Sequence, residues 1–413
     1  MQIYPLDHVI SYARKHSPFY QKLYAHLGKN PPLEDLPLIN LADFWQAAAE
    51  GLVNTGPHLD GQVFKTGGTT GAPKYALLTA EEWQTACEVA GLYMPMGGLR
   101  RGDRVANLFY GGSLYGSFLF AYSCFYFSPV NILHFGLSGN MEIAELLDTI
   151  EQHRINKIAG LPSIVMKIIK LVENKGIAGR LCVDSIYFAG ETLYPEQRRK
   201  INQVLGKHVD FCSMAYGTND VGVIGYFHKD SCGFNEHRIC NTLCRMELID
   251  PETGEVILEA NRPGQIYVTN LYKLLMPVIR YPSGDVGQYT EPEGTPDRKF
   301  MLLGRSGAVA RVGFVTIHPE DVSRTLDNLG AQYDGFQLVL TRDGERDGLR
   351  IRIVSNSEVP GLTAELYGQS PLLKDTVDKG IISAPLIEYC SLTDLEHNKR
   401  TGKLTRVLDK RFP

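Results

Sequence analysis

The chain has 413 residues, of which 44% are hydrophobic and 21% charged, with a net charge of −4. That balance excludes a disordered chain and provides enough apolar residue to bury a large core. No basic stripe stands out, which argues against a nucleic-acid binder whose affinity would rest on neutralising phosphates.

The length suggests two or three domains, or one large domain with a small partner. Eight cysteines are too sparse for a disulfide scaffold, so reduced thiols in a cytoplasm are expected. His8, Arg14 and Lys15 fall where a signal peptide needs an apolar core, so no secretion signal is expected.

In chain order, residues 6–27 have helical apolar spacing on both sides of Ser17-Pro18. Proline suits a first helical turn, so the spacing predicts two helices joined there. Residues 80–93 read as a helix, with Thr79 as cap and Glu82 three residues on. From Val105 to Met141 there is no Asp, Glu, Lys or Arg. Gly111, Gly112, Gly116 and Pro129 cut that run into pieces shorter than the ~20 apolar residues of a membrane span, so a buried core segment is expected. Residues 141–154 and 162–175 read as helices, and 156–161 and 185–190 as strands. That alternation indicates an α/β layer architecture.

After about residue 210 the texture turns β-rich. Residues 246–258 form a hairpin signal, and 264–271 and 276–281 read as strands. Residues 336–356 read as a second hairpin, while 319–328 and 360–378 look helical. The tail from about 306 thus reads as a small α+β domain.

The sharpest chemical signal is the run from Lys65 to Lys74. Thr66, Gly67, Gly68, Thr69, Thr70 and Gly71 form a stretch of glycine and threonine alone. Glycine lets backbone N–H groups converge on an oxyanion and threonine adds hydroxyl donors. The run lacks the Gly-Lys-Ser/Thr of a Walker loop. Taken alone, it reads equally as a phosphate loop or a surface turn.

Six further segments settle which reading to follow. They are Gly160-Leu161-Pro162-Ser163, Ala189-Gly190-Glu191, Tyr216-Gly217-Thr218-Asn219-Asp220, the run Pro277 to Asp285, Gly304-Arg305 and Arg400 to Arg406. In this order, with the Gly/Thr run, they resemble the adenylate-forming (acyl-CoA synthetase) superfamily. The opening Ser17-Pro18-Phe19-Tyr20 and Leu36-Pro37 resemble its phenylacetate-CoA ligase branch.

The resemblance implies an α/β fold with a large adenylate-forming N-terminal domain, residues 1–304, and a small α+β C-terminal lid domain, residues 306–413. The lid would be mobile and carry the catalytic lysine. The implied reaction joins a carboxylic acid, aromatic or arylacetic by preference, to ATP as an acyl-adenylate and then to CoA as a thioester. Carrier-protein or amine delivery stays open as an alternative acceptor, and so does an inactive ligand-binding relative. A homodimer is implied as well, with neither a membrane nor nucleic acid as partner.

The implied roles follow residue by residue. Thr66 to Gly71 take the phosphates of ATP. Asp285 accepts from the ribose hydroxyls and Arg305 reaches ribose or phosphate. Tyr216 stacks on adenine, while Gly190, Glu191, Gly217 and Thr218 line that pocket. Asp220 helps hold Mg²⁺, although the family has Glu there and a hydroxyl residue where this chain has Asn219. Lys403 is the catalytic cation, bridging carboxylate and α-phosphate. Gly307 replaces the usual acidic hinge.

Phe109, Tyr110, Tyr115 and Phe118 could form a flat slot for the acid or simply pack the core. Cys232, His237, Cys240 and Cys244 have the residue types of a zinc site. The later cysteine pair of zinc-binding branch members is missing, which favours buried reduced thiols.

Overall fold

The computed structural model describes the whole chain except residues 30, 66–73, 232, 234, 306–309, 314, 344–345, 398–403 and 412–413, and the side chains of residues 305, 311 and 343. It divides into two compact units. The first comprises Met1–Thr192 and Val204–Gly304, the second Leu193–Gln203 and Arg305–Pro413.

The first unit contains a parallel sheet of five strands. Its order is Leu133–Gly136, Arg104–Asn107, Lys157–Gly160, Ser185–Phe188 and Asp210–Ser213. Helices Ser117–Phe127, Ile143–Gln152 and Pro162–Lys175 alternate with its strands along the chain. Lys157–Gly160 and Ser185–Phe188 are buried at every position, as a sheet covered on both faces requires. The uncharged run from Val105 to Met141 supplies most of an inner strand, the helix Ser117–Phe127 and the edge strand Leu133–Gly136, and it is buried only in part, since Leu119, Tyr122, Tyr126 and Leu133 are exposed. No helix among the described residues is long and apolar enough to cross a membrane.

An eight-stranded sheet follows, from Val256–Ile257 at one edge to Tyr216–Thr218 at the other. The N-terminal helices pack on it. Val9, Ile10, Ala13, Tyr20, Tyr24 and Phe44 share one core with Val221, Leu248, Ile266, Val268 and Phe300. Leu6–His16 and Pro18–Leu23 meet at Ser17, whose hydroxyl accepts from Tyr20 N. Thr79 and Glu82 form the expected reciprocal cap of Ala80–Tyr93.

Two expectations need correction. Residues 276–280 are not a strand; the strand is Tyr281–Tyr289. Pro277 has no N–H to give a ladder, and Arg280 adopts left-handed backbone at φ 46°. Its guanidinium explains that path. Nε and Nη2 donate to Glu247 at 3.1 and 2.9 Å, and Nη1 donates to the carbonyls of Glu34 and Leu36 at 2.8 and 2.6 Å. The second correction is that 360–378 is two helices, Leu362–Gln369 and Pro371–Asp378. Ser370 caps the second and Pro371 opens it.

The second unit has a four-stranded sheet ordered Leu386–Cys390, Arg346–Val354, Gly335–Asp343 and Val407–Asp409. The central pair is the antiparallel hairpin read from sequence, and both outer strands run parallel to their neighbours. Helices Pro319–Asn328, Leu362–Gln369 and Pro371–Asp378 share its core through Val322, Leu326, Leu362, Leu366 and Leu373. Leu193–Gln203, which precedes the last parallel strand in the chain, also belongs to this unit.

Candidate active site

The motif residues of the first unit are joined by hydrogen bonds rather than merely adjacent. The strand Tyr281–Tyr289 shifts register against Gly264–Asn270, with Gln265 opposite Val286 but Tyr267 opposite Pro282. The extra residues form a bulge containing Gly284, at φ 83°. That bulge presents the half-buried Asp285 to Tyr216, whose hydroxyl donates to Asp285 Oδ2 at 2.8 Å. Tyr216 is only 8% exposed. Its ring packs on Phe300 and His237, with centroids 5.7 and 5.9 Å away.

The turn after Tyr216 is tight. A Cβ on Gly217 would meet the carbonyl oxygen of Gly222 at 2.2 Å, so only glycine fits. Thr218 Oγ1 closes the turn by accepting from Val221 N at 3.2 Å. Asn219, where the family has a hydroxyl residue, donates from Nδ2 to the Lys65 carbonyl at 2.9 Å. Lys65 N–H in turn donates to the Leu114 carbonyl at 2.9 Å. The strand end before the Gly/Thr run is thereby tied both to the Tyr216–Asp220 turn and to the aromatic segment.

Asp220 is half-buried, and its Oδ2 accepts from the Tyr281 hydroxyl at 2.6 Å. Burial and then the Asp220 charge push the Tyr281 phenol pKa upward, so it stays a protonated donor. Lys273, fully buried, donates to the Asp220 carbonyl at 2.5 Å. Burial lowers its pKa, and the charges of Glu82 and Asp220 oppose that shift. Sequence reasoning passed over Lys273. The available signal was a lone cation inside the apolar run from Leu271 to Ile279.

Among the described residues nothing bonds Asp220 Oδ1. One oriented carboxylate oxygen suits magnesium, which keeps several waters and takes one or two carboxylates beside substrate phosphates. The residues present therefore fit that ion.

The two segments at the parallel sheet are linked as well. Glu191 accepts from Ser163 N and Ser163 Oγ, both at 3.0 Å. A carboxylate there complements the exposed N–H groups opening the helix Pro162–Lys175. Gly190 precedes it in left-handed backbone, at φ 75°. Tyr110 is half-buried, and its phenol pKa is raised by burial and then by the Glu191 charge. Tyr115 and Phe118 are also half-buried, whereas Phe109 is 1% exposed and belongs to the core.

Thr66 to Gly71, Gly307, Lys403 and the Arg305 side chain lie outside the described residues. Arg406, close behind Lys403, is buried in the second unit. It donates to the Phe336 carbonyl at 2.6 Å and to Glu196 at 2.5 Å, and stacks 3.5 Å over the Tyr194 ring. Of the zinc-type residues, Cys232 is outside the described set. His237 Nε2 pairs with Ser213 Oγ at 2.8 Å, and burial pushes its pKa down to about 4. Cys244 donates to the carbonyls of Ile224 and Cys240. No group of three or more His, Cys, Asp or Glu among the described residues is placed to hold a metal ion.

The first unit thus holds a bulged aspartate bonded to a buried tyrosine and a second aspartate oriented by another tyrosine. The model of the AMP-binding enzyme family matches residues 63–272, half of the chain, and the chain belongs to that family. Within it, the chain is similar to phenylacetate-coenzyme A ligases. The protein of that name from Pseudomonas putida is 23% identical over 420 residues, covering 98% of this chain and 92% of its own. The one from Thermus thermophilus is 24% identical over 368 residues, covering 84% of this chain and 79% of its own. The fold matches a solved 2-hydroxyisobutyryl-CoA ligase bound to 2-HIB-AMP, with TM-score 0.75 at 19% identity over 98% of this chain and 88% of that one.

Proposed function

We propose that the protein is an AMP-forming acid–thiol ligase that activates a carboxylic acid with ATP and transfers the acyl group to CoA. The observation that carries this reading is the Tyr216–Asp285 pair, a carboxylate aimed by a phenol that lies inside the family-matched segment.

In the first step a carboxylate oxygen attacks the α-phosphorus of ATP. The bond to pyrophosphate breaks and its electrons leave with pyrophosphate. In the second, the CoA sulfur, having given its proton to solvent, attacks the acyl carbon, and the carbon–oxygen bond to AMP breaks. The protein's task is to orient partners and neutralise charge.

Asp285 accepts from the ribose hydroxyls. Tyr216 acts mainly by holding Asp285, since most of its ring is already packed; its exposed edge is what remains for adenine. Glu191 fixes the backbone beside Gly190 rather than offering a free carboxylate. The residues 66–71 take the β- and γ-phosphates, Arg305 the ribose side, and Lys403 the charge developing between acid and α-phosphate. Asp220 would hold magnesium, which supplies charge neutralisation at the phosphates. Tyr110, Tyr115 and Phe118 form the wall for an aromatic or arylacetic acid, backed by Phe109. The work takes place in a cytoplasm, where ATP and CoA are supplied and the described cysteines stay unpaired.

ATP–pyrophosphate exchange over a panel of aryl, arylacetic, aminobenzoic and fatty acids, with and without CoA, tests the reading. The expected result is exchange with an aryl or arylacetic acid and a CoA thioester once CoA is added. Exchange without thioester moves the acceptor to a carrier protein or an amine. ATP binding without exchange for any acid overturns the ligase.

A further inference from the structure

Trp45 lies in the helix Leu41–Ala49, outside the segment that matches the family model. Its half-buried indole nevertheless touches both Tyr281 and Lys74. The indole Nε1–H donates to Tyr281 Oη at 2.9 Å, and Tyr281 Oη–H donates to Asp220 Oδ2 at 2.6 Å. The Lys74 ammonium, which closes the Gly/Thr run, sits over the indole ring 5.2 Å from its centroid.

We propose that Trp45 is a positioning residue that couples Lys74 to Asp220, so that binding of Mg·ATP depends on it and is sensed by it. The direction of the hydrogen bonds carries the argument. An indole N–H can only donate. By occupying the acceptor side of Tyr281 Oη, it leaves the tyrosine proton for Asp220. Such a chain polarises and strengthens the final bond. The carboxylate is then fixed through Oδ2, and Oδ1 has no hydrogen-bond partner among the described residues.

The scaffold around the indole is rigid. Phe44 packs edge-on against Trp45 and Tyr281, with centroids 5.5 and 5.0 Å away. Asn40 Oδ1 caps the helix by accepting from Ala42 N and Asp43 N. Lys273 holds the Asp220 backbone through its carbonyl. The contact with Lys74 is of the cation–π type, and a phosphate competes for the same ammonium.

The inference rests on the magnesium role given to Asp220 above. Its test is calorimetric ATP binding with and without Mg²⁺, on wild type and on folded Trp45→Phe and Tyr281→Phe, each checked by thermal melting. Groups that orient a metal ligand typically change metal affinity about 10–100-fold when removed. Tyr281→Phe is expected to reduce the Mg²⁺-dependent gain in ATP affinity about tenfold, and Trp45→Phe, one bond further out, about threefold. Metal-free ATP affinity and the acid KM should stay within about twofold, which a general loss of structure would not leave alone.

The protein has two tryptophans, Trp45 and Trp83. In Trp83→Phe the emission of Trp45 is therefore read by itself and should change on adding Mg·ATP. An unchanged Mg²⁺ dependence in both variants overturns the link to Asp220. Unchanged emission despite calorimetric binding overturns the link to Lys74. A wild type that binds no Mg·ATP overturns the ligase reading itself and this inference with it.

Discussion

The two ends of the run from Pro277 to Asp285 are built for different work. Arg280 is 3% exposed, and donors on all three of its guanidinium nitrogens are taken by Glu247 and by the carbonyls of Glu34 and Leu36. That end clamps the N-terminal segment onto the eight-stranded sheet. At Asp285 the backbone bulges, the carboxylate is half-buried, and one buried phenol aims it. Neighbours in one signature thus divide into a residue that holds the fold and a residue we assign to the ligand. Burial separates them, which membership of the motif does not.

The contrast breaks first, and most heavily, at Arg280. Arg280→Met strands Glu247 in a site where burial already raises its pKa. Removing one partner of a buried pair costs about 3–5 kcal/mol. The urea midpoint should fall accordingly, and adding Glu247→Leu should recover much of the loss. A midpoint equal to wild type would show that the clamp holds nothing.

The next effect is acid sensitivity beneath Tyr216. His237 is pushed down to about 4 by burial, against an ordinary 6.5. The unfolded chain therefore takes up a proton that the folded protein refuses. This contribution is complete above about pH 6.5 and is lost as pH falls toward 4, by about 3 kcal/mol in all. His134, also lowered to about 4 by burial, adds to the same window. His237→Gln should flatten the midpoint-against-pH slope between pH 4 and 6.5 without abolishing it. A slope identical to wild type would remove His237 as a source.

Local chemistry made part of this legible. Thr79 with Glu82, Ser17-Pro18 and the hairpin Gly335–Val354 are all short-range patterns, and each appears where its residues place it. The break at Ser370-Pro371 carries the same signal as Ser17-Pro18 and was readable. The late start of the strand at Tyr281 was not, because Glu34, Leu36 and Glu247, which hold Arg280, are distant in sequence. The same distance hides the Trp45–Tyr281–Asp220 chain, whose links span 236 and 61 residues. Motif order pointed to Tyr216, Asp220 and Asp285. It could not show that Tyr216 spends its hydroxyl on Asp285 or that Glu191 spends both oxygens on Ser163.

The Asp285 end of the run gives the smaller effects. Asp285→Asn keeps the shape and removes the charge. Acid-dependent ATP–pyrophosphate exchange should fall about 10²-fold, the usual size for one preorganised polar group, with the melting temperature nearly unchanged. Tyr216→Phe removes the 2.8 Å bond that aims that carboxylate, together with a 3.3 Å bond to Ser283 Oγ. A hydrogen bond to a charged group is worth about 1.5–3 kcal/mol, and Asp285 itself remains, so the loss should be about tenfold and fall mainly on the KM for ATP. The double variant decides how Tyr216 works. If it acts through Asp285, adding Tyr216→Phe to Asp285→Asn changes little, because the group being aimed has already lost its charge. If the ring contacts the nucleotide directly, the two losses multiply, and the role assigned to the hydroxyl is wrong.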